Sequence, residues 1–98
     1  MQALLVICRA SLESHVLVCL EQANVTAFSW IERVSGTGVT GQAPMPWTPP
    51  NSLFLVVLPQ DRASEVAAQL YALGARLREA HGAEVPLRVF GFRCEALV

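Results

Sequence analysis

Two short apolar runs constrain the fold more than any other feature of the chain. Residues 3–8 have the sequence ALLVIC, and residues 53–58 have the sequence LFLVVL. Neither run alternates with polar residues and both are rich in branched aliphatic side chains, a pattern typical of strands buried on both faces. Each run is far shorter than the ~20 residues of a membrane helix, so no membrane insertion is expected. The sequence of 98 residues is expected to form a single domain, 1–98, around these two strands.

Segments with helical periodicity follow both apolar runs. The first segment predicts a helix over residues 12–23, with the Ser11 hydroxyl as its N-cap and Asn24 as a left-handed terminator. The second segment predicts a helix that Asp61 caps and Gly82 ends. The buried stripe of this second helix consists of Val66, Leu70, Leu73 and Leu77.

Two further strands complete the pattern. Residues 25–34 are β-branched and aromatic, and residues 87–94 alternate, with Gly91 as a bulge or a point of close approach. The order βαββαβ predicts an α+β, ferredoxin-like fold, in which two helices cover one face of a four-stranded antiparallel sheet. Residues 35–51, between strands two and three, form one long loop because their glycines and prolines exclude a regular element.

The other face of the predicted sheet is expected to be covered by further copies of the chain. The two apolar runs would be the central strands, with apolar residues pointing to both sides. Charged residues make up only 15% of the chain, against about 25% in typical globular domains. Symmetric self-association is the simplest way to bury such a face.

Charge, cysteine and histidine content argue against several classes. The net charge of −1 lacks the basic stripe of nucleic-acid-binding proteins. The cysteines Cys8, Cys19 and Cys94 form no close pair, which argues against disulfides and zinc and favours a reducing cytoplasm. The start of the chain has no basic segment ahead of an apolar one, so no secretory signal is expected. His15 and His81 have no second ligand in sequence range, so no metal site is expected.

The sequence contains no convincing catalytic grouping. No Ser/His/Asp or Cys/His arrangement is apparent, and Glu32, Glu84 and Glu95 are scattered over different elements. A non-enzymatic protein is therefore expected. Three arginines, Arg88 and Arg93 on the fourth strand and Arg33 near the end of the second, are either phosphate ligands in a cleft between subunits or solvated surface arginines.

The start of the long loop holds the candidate ligand-binding residues. These are Gly36, Thr37, Gly38 and Val39. Their backbone amides either cradle a phosphate or a purine, or belong to a flexible turn. The segment matches neither the Walker P-loop nor the dinucleotide fingerprint, because neither Gly-Lys-Ser/Thr nor a helix follows it.

The rest of the loop holds the candidate partner-binding residues, which are Gly41, Met45 and Trp47. Trp47 lies among prolines, so it is either a stiff anchor for a protein partner or a side chain folded back over the sheet edge. The prolines and glycines also predict that residues 39–50 are the most mobile part of the free protein.

The element order, the long loop and two short motifs together resemble the PII-like signalling family. Val34-Ser35-Gly36-Thr37-Gly38 matches the Val-x-Gly-x-Gly motif at the base of the T-loop in that family. Residues 89–92, with the sequence VFGF, lie where the family has a Val-Leu-Pro-Val type strand. The resemblance implies a homotrimer with inward-facing sheets and nucleotide-sized sites in the clefts between subunits. It also implies a T-loop that docks on a target protein, often a membrane transporter.

The sequence departs from the family at the residues that hold nucleotides. Val39 and Thr40 replace the usual basic and amide residues, and residues 81–86 replace a Gly-rich, Lys-bearing phosphate loop. The T-loop also lacks the usual modifiable tyrosine. The resemblance therefore implies a divergent sensor of a small effector, such as an adenine nucleotide. Two alternatives stay open: an adaptor trimer without a ligand, and a metal-tolerance protein of the related CutA type.

Overall fold

The computed structural model describes residues 1–35, 49–82 and 85–98. Within these residues, four strands and two helices follow one another in the predicted order βαββαβ. The strands are β1 (Gln2–Arg9), β2 (Ser29–Val34), β3 (Asn51–Leu58) and β4 (Leu87–Arg93), and the helices are α1 (Glu13–Gln22) and α2 (Gln60–His81). A single 3-10 turn, Ala10–Leu12, joins β1 to α1.

The strands form one antiparallel sheet in the order β2-β3-β1-β4. β1 pairs with β3 on one side and with β4 on the other, so that Gln2 lies between Leu58 and Arg93. β1 and β3 are the two apolar runs, and they occupy the centre of the sheet as predicted. The α+β, ferredoxin-like fold is confirmed.

The core lies between the sheet and the two helices. Fully buried side chains from both layers meet there, namely Val6, Phe54, Val56, Val16, Leu20, Val66 and Leu70. Phe54 is central, because the Trp30 ring stacks on it with centroids 5.7 Å apart and the Phe28 ring packs beside it at 6.0 Å. The predicted stripe of the second helix is buried throughout.

The start of α1 differs from the prediction. Ser11 belongs to the 3-10 turn, and no side chain caps α1, which begins at Glu13. The Glu13 carboxylate instead accepts a hydrogen bond from the buried hydroxyl of Ser52 on β3. A contact between distant segments thus fixes this helix end, and local sequence could not reveal it.

The second strand is shorter than predicted, because it begins at Ser29. Val25 is buried and its backbone N–H donates to the Leu20 carbonyl at 2.9 Å, so this residue completes the exit from α1. Arg33 has a φ of 59°, and pairing with β3 is irregular between Ile31 and Val34. A bulge therefore lies at the end of β2, where the long loop departs.

The fourth strand ends at Arg93, and its pairing with β1 runs without a shift in register. Gly91 is therefore a point of close approach and not a bulge. A Cβ at this position would lie 2.9 Å from Nε2 of Gln2 and 3.7 Å from Cδ2 of Leu4.

The start of α2 also differs from the prediction. The helix begins at Gln60, so Asp61 lies in its first turn and does not cap it. The Asp61 carboxylate is still placed favourably for the helix dipole. Arg62 in the same turn donates from Nη2 to the Ala23 carbonyl at 2.7 Å, which ties the start of α2 to the end of α1.

Both helices end as predicted. Asn24 follows α1 with a φ of 60°, and Gly82 follows α2 with a φ of 63°, so both are left-handed terminators. The Gly82 backbone N–H donates to the Arg78 carbonyl at 2.8 Å, which satisfies one of the last carbonyls of the helix.

We expect the substitution Gly82→Ala to lower the free energy of unfolding by about 1 kcal/mol, because a Cβ is strained in the left-handed region. Gly74→Ala is the matched control within α2. A Cβ at Gly74 would make ordinary contact with Cδ2 of Leu87 at 3.7 Å, and alanine favours the helix by about 1 kcal/mol. Urea denaturation should show opposite signs for the two variants, and equal signs would contradict this assignment.

Candidate functional site

The end of the sheet from which the long loop departs is fixed by backbone hydrogen bonds. Arg9 at the end of β1 donates its N–H to the Pro86 carbonyl at 3.1 Å, and Ala10 donates to the Pro50 carbonyl at 3.0 Å. Asn51 on β3 lies opposite Arg9 on one side and Val34 on the other. We call this region the loop end of the sheet.

The predicted ligand-binding residues Gly36, Thr37, Gly38 and Val39 lie outside the described residues. The predicted partner-binding residues Gly41, Met45 and Trp47 lie outside them as well. The mobility predicted for residues 39–50 likewise concerns residues outside the described part, except Pro49 and Pro50. All these assignments stay predictions, but the loop end fixes where the segment starts and where it returns.

The two candidate phosphate ligands of β4 lie at opposite ends of the sheet. Arg88 pairs with Ile7 near the loop end, whereas Arg93 pairs with Gln2 at the far end. Five residues of strand separate their Cα atoms by about 17 Å. The Arg88 Nη1 donates to the carbonyls of Val85 at 3.3 Å and Leu87 at 2.9 Å. Of these two arginines, only Arg88 therefore lies near the loop end.

Sequence reasoning missed another arginine at the loop end, Arg9. Arg9 is diagonally adjacent to Arg88, because Arg88 pairs with Ile7 two residues before it. The Nε atom of Arg9 is buried and has no hydrogen-bond partner among the described residues. A buried, unpaired donor of this kind is costly and calls for an acceptor. The sequence signal available for Arg9 was its position, because it is a cation that directly follows the apolar run of residues 3–8 and precedes the first helix.

A small polar cluster lies beneath the loop end, on the helix-bearing face of the sheet. Cys8 pairs with Ser52, and the Ser52 hydroxyl donates to the Glu13 carboxylate. Burial of the Cys8 thiol, together with the negative charge of Glu13, raises its pKa from 9.0 to about 11. This cysteine is therefore a protonated, unreactive packing group at neutral pH.

The other cysteines and the histidines form no shared site. Cys19 is buried in the core as expected, and burial raises the pKa of its thiol despite the opposing charge of Arg76. Cys94 lies beside Met1, at the far end of the sheet from Cys8. Among residues 1–35, 49–82 and 85–98, no group of three potential metal-ligating side chains is present.

The helix-free face of the sheet is a large exposed apolar surface. We define the apolar face as Leu5, Ile7, Ile31, Leu53, Leu55, Val57, Phe90 and Phe92, which register and alternation place on one side. Ile31 and Phe90 are each 53% exposed and Phe92 is 49% exposed. Contiguous apolar patches of this kind mark sites of association.

Comparison with known proteins gives the family. The sequence profile described as "Nitrogen regulatory protein P-II" matches residues 1–82, so the chain belongs to the P-II family, as a divergent PII-like protein. Proteins of this family are regulatory signalling proteins and not enzymes. No curated protein matches the sequence.

Solved structures show the same fold. The apo form of CPII, a nitrogen regulatory PII-like protein from Thiomonas intermedia, matches with a TM-score of 0.64 and 14% identity, covering 93% of this chain and 85% of that one. CPII bound to ADP and bicarbonate matches with a TM-score of 0.66 and 13% identity, covering 93% and 82%. A PII-like signaling protein from Thermus thermophilus matches with a TM-score of 0.60 and 12% identity, covering 93% and 83%.

In the described part of the chain, neither helix combines the length and apolarity needed to cross a membrane.

We expect stability to fall as pH rises from about 9 to about 11. The folded-state pKa of Cys8 is raised, so the fold favours the neutral thiol and loses that preference as the unfolded-state thiol ionises. The loss is on the order of 2 to 3 kcal/mol. Urea denaturation at several pH values should show this slope in the wild type and a weaker one in Cys8→Ala. An equal slope in both proteins would show that Cys8 does not cause it.

Proposed function

We propose that this chain is a homotrimeric PII-like sensor that binds a small effector between its subunits and signals through the loop that joins β2 to β3. The single observation that carries the proposal is the apolar face. An isolated subunit would expose this face to water, at a cost of about 25 cal/mol per Å² of apolar surface. Three copies with their sheets turned inward would bury it and leave the helices outside.

The composition of the sheet supports this assembly. The residues of the apolar face come from all four strands, so no small rearrangement within one subunit could cover them. Low charge content in the chain as a whole agrees with a large covered surface. Membership of the P-II family supports the trimer among the possible symmetric assemblies.

The effector we propose is an adenine nucleotide, held near Gly36, Thr37, Gly38 and Val39. Solved structures of CPII with ADP and bicarbonate, and with ADP, AMP and acetate, support this ligand class. Arg88 at the loop end is the described cation best placed for the phosphates. Arg93, at the far end, could serve only a site shared with another subunit.

The signalling surface we propose is the later part of the loop, with Gly41, Met45 and Trp47 as contacts. Its partner would be a target protein, with a membrane transporter as one candidate. The chain would act as one non-enzymatic domain over residues 1–98 in the cytoplasm. The adaptor and CutA-type alternatives are outcomes of the ligand experiment below.

We expect Val57→Asp to dissociate the trimer or prevent its folding, because it places a carboxylate inside the subunit interface at a cost of several kcal/mol. Sedimentation should show a species of three chains for the wild type and one near the chain mass of 10.6 kDa for the variant. Val18→Asp is the matched control, since Val18 is a 51% exposed residue on α1. A stable wild-type monomer at micromolar concentration would overturn the proposed assembly.

We expect calorimetry to detect adenine nucleotide binding in the range of about 10 μM to 1 mM, which corresponds to roughly −4 to −7 kcal/mol. The affinity is modest because the Lys-bearing phosphate loop is absent. Gly38→Val should abolish binding while the trimer persists, since a side chain would crowd a ligand held by main-chain amides.

A matched pair of charge variants tests the position of the phosphates. Arg88→Gln should weaken nucleotide binding by about tenfold, and Arg93→Gln should weaken it less. Absence of heat with AMP, ADP and ATP at millimolar concentration would favour the adaptor. A response to divalent metal ions alone would favour the CutA-type alternative.

A further inference from the structure

A groove separates α2 from the edge strand β4, on the helix-bearing side of the sheet. Its volume of about 560 Å³ lies within the range of small-molecule sites. The accessible part of the floor is apolar and includes Leu87 and Val89 from the sheet and Ala67 from the helix, all half-buried. Because β4 is the last strand of the sheet, no further strand of the same subunit closes this side of the groove in the described part of the chain.

Neither the backbone conformation nor the packing explains why residue 74, in the wall of the groove, is a glycine. Gly74 lies in the interior of α2 without a positive φ, and a Cβ there would meet only Cδ2 of Leu87, at 3.7 Å. A glycine in the middle of a helix costs about 1 kcal/mol relative to alanine. What the missing side chain does provide is open space above Leu87.

The loop-end rim of the groove is positively charged. Arg78 lines the groove one turn after Gly74, and Arg88 lines it from the strand. Arg78 has no ion-pair or hydrogen-bond partner for its side chain among the described residues. Within the described part of the chain, none of the residues that line the groove is acidic. Ser64 and Tyr71 add hydroxyl groups along the helix side.

We propose that the α2–β4 groove binds a small amphiphilic anion, a molecule with an apolar body and one carboxylate, phosphate or sulfonate group. The apolar body lies over Ala67, Leu87 and Val89, in the space that Gly74 leaves open. The anionic group lies at the rim, where Arg78 contacts it. An apolar floor favours an apolar molecule in general, and the unopposed arginine selects an anion from among such molecules.

This site shares only Arg88 with the nucleotide site proposed above, and its anion contact is Arg78. The groove lies on the helix-bearing side of the sheet, away from the apolar face. It is built from described residues of β1, α2 and β4 and needs none of the loop residues. A second ligand here would give the protein two inputs, and the two can be tested separately.

The experiment uses two fluorescent probes with almost the same aromatic body. One is 8-anilinonaphthalene-1-sulfonate, and the other is neutral N-phenyl-1-naphthylamine, which lacks the sulfonate. We expect the sulfonate probe to bind the wild-type protein with one site per chain and about tenfold more tightly than the neutral probe. Amide chemical shifts should move at Ala67, Gly74 and Gly91, which line the groove.

A pair of surface arginine variants decides the role of charge. Arg78→Gln should weaken the sulfonate probe about tenfold and leave the neutral probe unchanged. Arg76→Gln, an exposed residue of the same helix outside the groove, should change neither. Equal affinities for the sulfonate probe in these two variants would overturn the proposed anion contact.

A third variant tests the groove itself. Gly74→Leu should fill the space above Leu87 and abolish the binding of both probes, with circular dichroism confirming the fold. Should that variant fail to fold, the chemical shifts and the arginine pair still decide the question. Shift changes confined to Ile31, Phe90 and Phe92 would assign the probes to the apolar face and reject the groove. Gly38→Val should leave probe binding intact, so the failure of either site is distinguishable from failure of the other.

Discussion

The pairing of β1 with a strand on each side is the constraint on which the rest of the structure depends. β1 is apolar along most of its length and lies inside the sheet, so its backbone groups are satisfied by β3 and β4. Its side chains must still be removed from water on both faces. The two helices bury one face, where Val6 and Phe54 are fully inaccessible. Nothing within the described part of the subunit buries the other face, and the apolar face is the direct result.

The elements that follow from periodicity could be predicted from the sequence. The central strands, the buried stripe of α2 and both left-handed helix ends depend on local pattern, and the structure confirms them. The predicted N-cap of α1 was wrong because the start of that helix contacts a distant residue instead. Ser52 holds Glu13 across the core, and no propensity of Ser11 competes with that contact. The predicted start of β2 was wrong because Val25 pairs with the end of α1.

The candidate site was predictable in its outline but not in its geometry. Sequence spacing placed Arg88 and Arg93 on one strand, but only the register with β1 shows that they lie at opposite ends. The buried Nε of Arg9 and the groove beside Gly74 have no sequence signature, because both arise where separate segments meet. The profile match over residues 1–82 gives the family, but it identifies no ligand-binding residue in this chain.

The end of β1 mechanically links two connections that are far apart in sequence. Consecutive amides, those of Arg9 and Ala10, hold the carbonyls of Pro86 and Pro50, which precede β4 and β3 respectively. Neither proline can donate a hydrogen bond of its own, so each connection is attached to β1 through its acceptor. The two connections are therefore held at a fixed spacing, one at the start of each strand that flanks β1. The positions from which β3 and β4 begin are set by this one two-residue segment.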